Sequence, residues 1–351
     1  MADNKFNIRQ VARTLSLVEN RHPDSSDILR EAYKNQRAVP VIGITGPPGA
    51  GKSTLVDRLA VHWAEQGERV AVIAIDPSSP FTGGAVLGDR FRMDKASSHP
   101  RVFVRSLSSR GQVGGLSRAV QDVVTVVAAQ GFERIIVETV GSGQSDVEVA
   151  TLADCVVVVS VPGLGDQLQA GKAGILEISD VYAVNKSDLP GASTVAAHLE
   201  SNLDLIYHGK AGVNPSRQKA AHESIHANAA VHQRHGDPAA HASFWRPPVV
   251  NVSAAKHSGT EDLCQAIDDF LDWQHSSGHG KSRQAERLRE HIRRLAYSRL
   301  LAQELPDNAH HSLTQLADTV KQGVLTPWEA SELFLNALSE KRYEKGGQTT
   351  I

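Results

Sequence analysis

The chain has 351 residues, 40% of them apolar, and a formal net charge of −2. This near-neutral balance excludes bulk electrostatic attraction to nucleic acid or an anionic membrane, and no apolar run reaches the roughly 18 residues of a membrane span. The two cysteines, Cys155 and Cys264, are too few for a disulfide framework or a cysteine-built zinc site, and the N-terminus lacks the apolar core of a secretory signal, so a cytoplasmic protein is expected.

Residues 1–37 read as a helical extension. Ile8, Val11, Ala12, Leu15 and Val18 form one stripe, and Ile28, Leu29 and Ala32 suggest a second short helix. Strands and helices then alternate over residues 38–275, with strands expected at 39–45, 69–75, 102–107, 134–140, 155–161, 181–184 and 248–252. Most are continuous apolar runs, the pattern of parallel strands covered on both faces, so the class is α/β with a doubly wound, mostly parallel sheet. Residues 208–247, rich in His, Ala, Gly and Pro, interrupt the pattern and read as a weakly packed excursion. Residues 276–283 read as a linker, and residues 281–351 as a helical arm. Leu288, Ile292, Leu295 and Ala296 line one face of that arm. A second arm helix opens at Thr326-Pro327-Trp328-Glu329, a capping box with Pro at the first helical position.

The first expected strand runs into Gly46-Pro47-Pro48-Gly49-Ala50-Gly51-Lys52-Ser53-Thr54, and a helical spacing of apolar residues follows it. A strand, a glycine-rich turn and a helix N-terminus aim backbone N–H groups at one point, which suits a phosphate chain. Lys52 is expected to reach the β- and γ-phosphates, and the Ser53 hydroxyl to ligand Mg²⁺. Asn185-Lys186-Ser187-Asp188 matches the N-K-x-D base-reading motif. The Asp188 carboxylate can accept from both N1–H and the exocyclic amine of guanine, whereas adenine would leave it unpaired at N1. Lys186 is expected over the base and Asn185 as a brace. Ser253-Ala254 supports the motif, with the Ala254 N–H directed at guanine O6. The nucleotide is therefore expected to be GTP rather than ATP.

Three further constellations bear on hydrolysis. Glu138-Thr139-Val140-Gly141 stands where most GTPases carry D-x-x-G, with Glu138 near the metal and Gly141 sensing the γ-phosphate. Asp76 ends an expected strand facing the ligand crevice, and Asp89 and Arg92 follow it in Leu87-Gly88-Asp89-Arg90-Phe91-Arg92-Met93. The glycine-rich stretch 162–174 reads as a moving loop that brings Gln169 or Lys172 toward the γ-phosphate. One further motif, His222-Glu223-Ser224-Ile225-His226, has the H-E-x-x-H form of zinc proteases. It lies among other histidines with no third ligand, and a catalytic zinc is not expected there.

With these residues laid out, the chain resembles the MeaB/ArgK family of G proteins nearly end to end. The resemblance rests on G-P-P-G-A-G-K-S-T at 46–54, I-D-P-S-S at 75–79, L-G-D-R-F-R-M at 87–93, R-S-L-S-S-R-G-Q-V-G-G-L-S at 105–117, V-E-T-V-G-S-G-Q-S-D at 137–146, N-K-S-D, and L-T-P-W-E-A at 325–330. It implies a SIMIBI-class P-loop GTPase that dimerises through C-terminal helices. It also implies a chaperone of adenosylcobalamin-dependent acyl-CoA mutases that gates cofactor delivery and protects the mutase. Ser53, Asp76, Asp89 and Glu138 match the family's Mg²⁺-associated positions, and Gln169 and Lys172 match its switch III pair. Asp146 and the run from Gln169 to Gly174 depart from the family pattern, which bears on the partner more than on the nucleotide. Two other classes remain open on sequence: a nucleotide-dependent kinase or ATPase of an amino-acid transport system, and a metal-insertion GTPase.

Overall fold

The computed structural model describes residues 8–20, 22–35, 38–76, 93–108, 115–139, 149–163, 178–208 and 245–301, with four isolated positions beyond. Seven strands are defined: β1 (Val41–Thr45), β2 (Val70–Asp76), β3 (Val102–Ser108), β4 (Arg134–Thr139), β5 (Cys155–Ser160), β6 (Val181–Val184) and β7 (Val249–Asn251). They form one sheet in the order β3-β2-β4-β1-β5-β6-β7, and every pairing is parallel. The expected doubly wound α/β class is present. The first strand starts two residues later than expected. Pro40 accepts from the Ile135 N–H through its carbonyl at 3.0 Å but has no N–H to return, so the ladder begins at Val41.

Helices cover both faces. On one face lie α1 (Ile8–Glu19), α2 (Ser25–Asn35), α5 (Gly115–Ala129) and α6 (Ala192–His208), which share a core with Val41, Ile135, Val137, Val156 and Val158. On the other lie α3 (Lys52–Glu65), the short α4 (Asp94–Ser98) and α7 (Thr260–Ser276), packed on Ile42, Ile44, Ile136 and Val157. This alternation explains the continuous apolar strands: even and odd positions both enter cores. The N-terminal extension is part of the first core. Val11, Leu15 and Val18 are buried, and Arg105 of β3 reaches out to Glu19 at 2.6 Å and to the Ser16 hydroxyl at 3.1 Å.

Two sequence expectations are corrected here. The stretch read as a linker is helical except at Ser277-Gly278: α7 ends at Ser276 and α8 (His279–Leu301) begins three residues later. Tertiary charge pairing holds α8 there. Arg283 forks onto Asp180 with both contacts at 3.2 Å, and Arg287 pairs with Asp154. Both carboxylates also accept strand N–H groups, from Val156 and Val41 respectively, each at 2.9 Å. Trp245, read as part of the weakly packed excursion, is also held in place. Its indole N–H donates to the Asp180 carbonyl at 2.8 Å, and its ring meets Phe270 edge-on at 5.2 Å. The chain divides into two compact units, Met1–Arg294 and Leu295–Ile351. The second arm helix expected from Thr326 lies outside the described residues. Among the described residues, no helix is long and apolar enough to cross a membrane.

Candidate nucleotide site

The turn between β1 and α3 lies at the C-terminal edge of the sheet, the edge where parallel α/β folds bind ligands. Lys52 begins α3 and is 6% exposed. A buried ammonium needs acceptors, and Lys52 Nζ donates to the carbonyls of Gly46 at 2.9 Å and Pro47 at 3.0 Å. The charge is thereby folded into the mouth of its own loop, where a phosphate chain would meet it. Ser53 stands beside it in the first turn, and its hydroxyl donates to Glu138 Oε1 at 2.7 Å. Glu138 is 4% exposed, on the β4 strand neighbouring β1. One position on, the Thr139 hydroxyl meets the Thr45 hydroxyl at 3.1 Å, tying the tips of β4 and β1 together. Thr54 is exposed on α3.

A second loop group closes on the first from the other side of β1. Asn185, 2% exposed, follows β6 and donates through Nδ2 to the Ala50 carbonyl at 2.8 Å. Gly51 makes this approach possible: at φ 81° it caps α3 in the left-handed region, and a Cβ there would lie 2.6 Å from Asn185 Nδ2. Lys186 is itself left-handed at φ 56°, and its Nζ reaches the Gly49 carbonyl at 2.9 Å. Such a conformation costs a non-glycine residue of order 1–3 kcal/mol and clusters at functional sites. The turn is tied to the sheet because Ser187 N–H donates to the Val252 carbonyl at 3.0 Å.

Asp188 then faces the turn after β7. Its Oδ1 accepts from the Ser253 hydroxyl at 2.6 Å, and Lys256 Nζ lies 3.3 Å from Oδ2. The Ser253 hydrogen bond, joined by Lys256, holds the Asp188 carboxyl below its ordinary value. The carboxylate is thus ionised and oriented, with lone pairs left on each oxygen. Ala254, expected to present its N–H to a base, donates it to Asn185 Oδ1 at 3.1 Å in this structure. Sequence reasoning missed three participants: Lys256, Arg58 and Asp57. Arg58 Nε donates to the Ala254 carbonyl at 3.2 Å, and Asp57 Oδ1 accepts the Ala96 N–H at 2.8 Å. Helical spacing held the clue, because both lie on α3 within two turns of Lys52.

Of the expected metal-side residues, the structure brings Ser53 and Glu138 together. Asp76 ends β2, which neighbours β4, and only its backbone position is described. Asp89, Arg92, Gly141, Gln169 and Lys172 lie outside the described residues. The His222 to His226 motif does too. Among the described residues, no group of three or more His, Cys, Asp or Glu is placed to hold a metal ion.

A phosphate-loop strand and helix on an all-parallel sheet, joined to an N-K-x-D turn by direct hydrogen bonds, define a P-loop GTPase. Over residues 11–309 the chain matches the family model for the methylmalonyl Co-A mutase-associated GTPase MeaB, and it belongs to that family. A relative from Pyrococcus abyssi described as a GTPase is 37% identical over 330 residues, covering 94% of this chain and 93% of the relative. GTPase ArgK of Escherichia coli is 33% identical over 328 residues, covering 90% of this chain and 88% of its own. A solved structure described as an LAO/AO transport system kinase shares the fold, with a TM-score of 0.68 and 24% identity. That likeness covers 95% of this chain and 94% of the other.

Proposed function

We propose that this GTPase acts as a chaperone and gate for an adenosylcobalamin-dependent acyl-CoA mutase, working as a cytoplasmic, Mg²⁺-dependent homodimer. The mutase partner rests on family membership, since the family is described by its association with methylmalonyl Co-A mutase. The choice of GTP rests on one observation above the others: Asp188, held by Ser253 at 2.6 Å, stands on a loop braced by Asn185 against the phosphate loop. An adenine placed there would present a lone pair to an oriented carboxylate. That disfavours the transport-ATPase reading.

In this reading the backbone N–H groups of residues 49–54 and the Lys52 ammonium bind the phosphates, Lys186 and Asp188 bind guanine, and Asn185 keeps the two loops in register. Ser53 and Glu138 supply adjacent hard oxygen donors, a chemistry that fits Mg²⁺, and Asp76 and Asp89 are the further residues that would hold it. When bound, Mg²⁺ neutralises charge on the β- and γ-phosphate oxygens. Ser142, not glutamine, follows Gly141, so no side chain there positions the attacking water as in Ras-like enzymes. Intrinsic turnover is accordingly slow, and the partner accelerates it by seating Lys172, Gln169 or Arg92 near the developing charge. Leu288 and Ile292, one helical turn apart on α8 and 47% and 58% exposed, provide an apolar strip for dimerisation.

Competition between GTP and ATP for the purified protein, with co-purification of the mutase from the native organism, tests the reading. Preference for GTP and recovery of a B12-dependent mutase are expected. Preference for ATP, or recovery of no such mutase, contradicts it.

A further inference from the structure

We infer that Arg58 is a positioning residue for guanine recognition, acting through the loop that follows β7. This rests on the assignment of Asp188 and Ala254 to the base. Arg58 lies on α3 six residues after Lys52, about 9 Å along the helix axis. Helix α3 therefore carries the phosphate-binding ammonium at its start and, two turns on, a guanidinium directed at the base loop. Arg58 Nε donates to the Ala254 carbonyl at 3.2 Å in a partly buried contact. On the other side of the same residue, the Ala254 N–H donates to Asn185 Oδ1 at 3.1 Å. Ala254 is 2% exposed and is clamped from both directions, by the N-K-x-D turn and by the phosphate helix.

At its root the loop is held to the neighbouring strand, since Val252 N–H donates to the Val184 carbonyl at 2.9 Å and the Val252 carbonyl accepts from Ser187 N–H at 3.0 Å. Its own closure is internal: Ser253 N–H to the Ser258 carbonyl at 2.9 Å, Ser258 N–H to the Ser253 carbonyl at 3.2 Å, and Lys256 N–H to the Ser253 carbonyl at 3.1 Å. These bonds shape the turn, and the ties from Asn185 and Arg58 to Ala254 hold it toward the phosphate loop and α3. Its placement decides where the Ser253 hydroxyl stands, and that hydroxyl orients Asp188 at 2.6 Å. The Arg58 contact thus adds, beside the Asn185 bridge, a second tie that fixes the spacing between the phosphate helix and the base-reading carboxylate. The neighbouring Asp57, 5% exposed, binds the Ala96 N–H of α4 at 2.8 Å. That bond ties the residue before Arg58 to α4, on a helix whose apolar face is already fixed in the core by Leu55, Leu59 and Trp63. The guanidinium also lies close enough to His257 in the same loop to hold that imidazole's pKa down, more than burial or Lys95 does.

The test compares GDP with IDP, which keeps O6 and N1–H but lacks the amine that Asp188 reads. In Arg58→Met the charge-assisted bond is lost and Ala254 keeps only its tie to Asn185. GDP affinity is expected to fall roughly tenfold, with a smaller loss for IDP, so the GDP:IDP ratio drops. Arg58→Lys, which keeps a cationic donor, restores part of that ratio. A purely structural role would lower thermal stability and leave the ratio unchanged. Asp188→Asn is measured alongside. If it leaves GDP affinity intact, the base assignment itself fails and the role of Arg58 with it. If it abolishes GDP binding while Arg58→Met keeps the wild-type GDP:IDP ratio, the base assignment stands and the inference about Arg58 is overturned.

Discussion

Replacing Gly51 by alanine should damage the junction between the phosphate loop and the base loop in a way that a neighbouring substitution does not. Gly51 sits at φ 81°, where an L-residue costs roughly 1–2 kcal/mol. Its added Cβ would come within 2.6 Å of Asn185 Nδ2, so the amide must leave the Ala50 carbonyl it now meets at 2.8 Å. Asn185 is 2% exposed, and a buried donor left unpaired costs about a further 1–3 kcal/mol. The combined loss is about 2–5 kcal/mol. Gly49 is the control: it is left-handed at φ 76° but has nothing within 4 Å of its Cβ position, so alanine there pays only the backbone term. Urea unfolding of the nucleotide-free protein measures both variants, and titration with a fluorescent GDP analogue reports the site. Gly51→Ala should unfold at distinctly lower urea than Gly49→Ala and bind GDP more weakly. If the two variants are equally stable and Gly51→Ala binds GDP as the wild type does, the Asn185 bridge is not the joint described.

Asp188→Asn should lose GTP and gain xanthosine triphosphate, because the amide can donate to the carbonyl that replaces the amine; competition binding reads this directly. Because the Ser253 hydroxyl and Lys256 depress the Asp188 pKa, the carboxylate stays charged as pH falls, and its contribution to folding is present above the unfolded value and lost only as pH drops through the folded one. Because the terminal phosphate of GDP itself titrates at about pH 6, the Asp188 contribution is read from the GDP:IDP affinity ratio. That ratio should persist down to the ordinary aspartate range of about 3.9, and a loss of it centred near pH 6 would contradict this. Both thiols should resist iodoacetamide in the native protein at pH 8, since burial raises Cys155 well above its usual value and Cys264 to about 12. The unfolded chain ionises first, so these groups reduce stability as pH rises from about 9 toward about 12, and rapid native-state labelling would refute their burial. Leu288→Glu combined with Ile292→Glu should give a monomer by light scattering with unchanged GDP affinity, and a persistent dimer would exclude this strip as the interface.

Local patterns carried most of the sheet into view. Seven apolar runs correspond to seven strands, the central ones buried on both faces and the edge strand β7 only half-buried, and the glycine-rich turn stood between a strand and a helix as expected. Pairings between distant residues were harder to read. The 276–283 stretch has the composition of a coil, yet it is held helical by Arg283 and Arg287 reaching Asp180 and Asp154, partners 103 and 133 residues away. Trp245 follows a histidine-rich segment, but its ring belongs with Phe270 and Trp273. At the site, Ser53 and Glu138 could be assigned to one role by motif, whereas Arg58 and Lys256 belong to no motif. Their importance comes from reaching the Ala254 carbonyl and the Asp188 carboxylate across the fold.

The most direct test of the account is the affinity of an adenosylcobalamin-dependent acyl-CoA mutase for this protein loaded with GDP or with a non-hydrolysable GTP analogue. A nucleotide switch that gates a mutase needs a coupling of about 1–3 kcal/mol, which appears as a roughly 5- to 150-fold difference between the two titrations. By reciprocity, the mutase must change the ratio of GTP-analogue to GDP affinity by the same factor. The account predicts that difference in both directions. Equal mutase affinity in the two nucleotide states, or no binding in either, would contradict it.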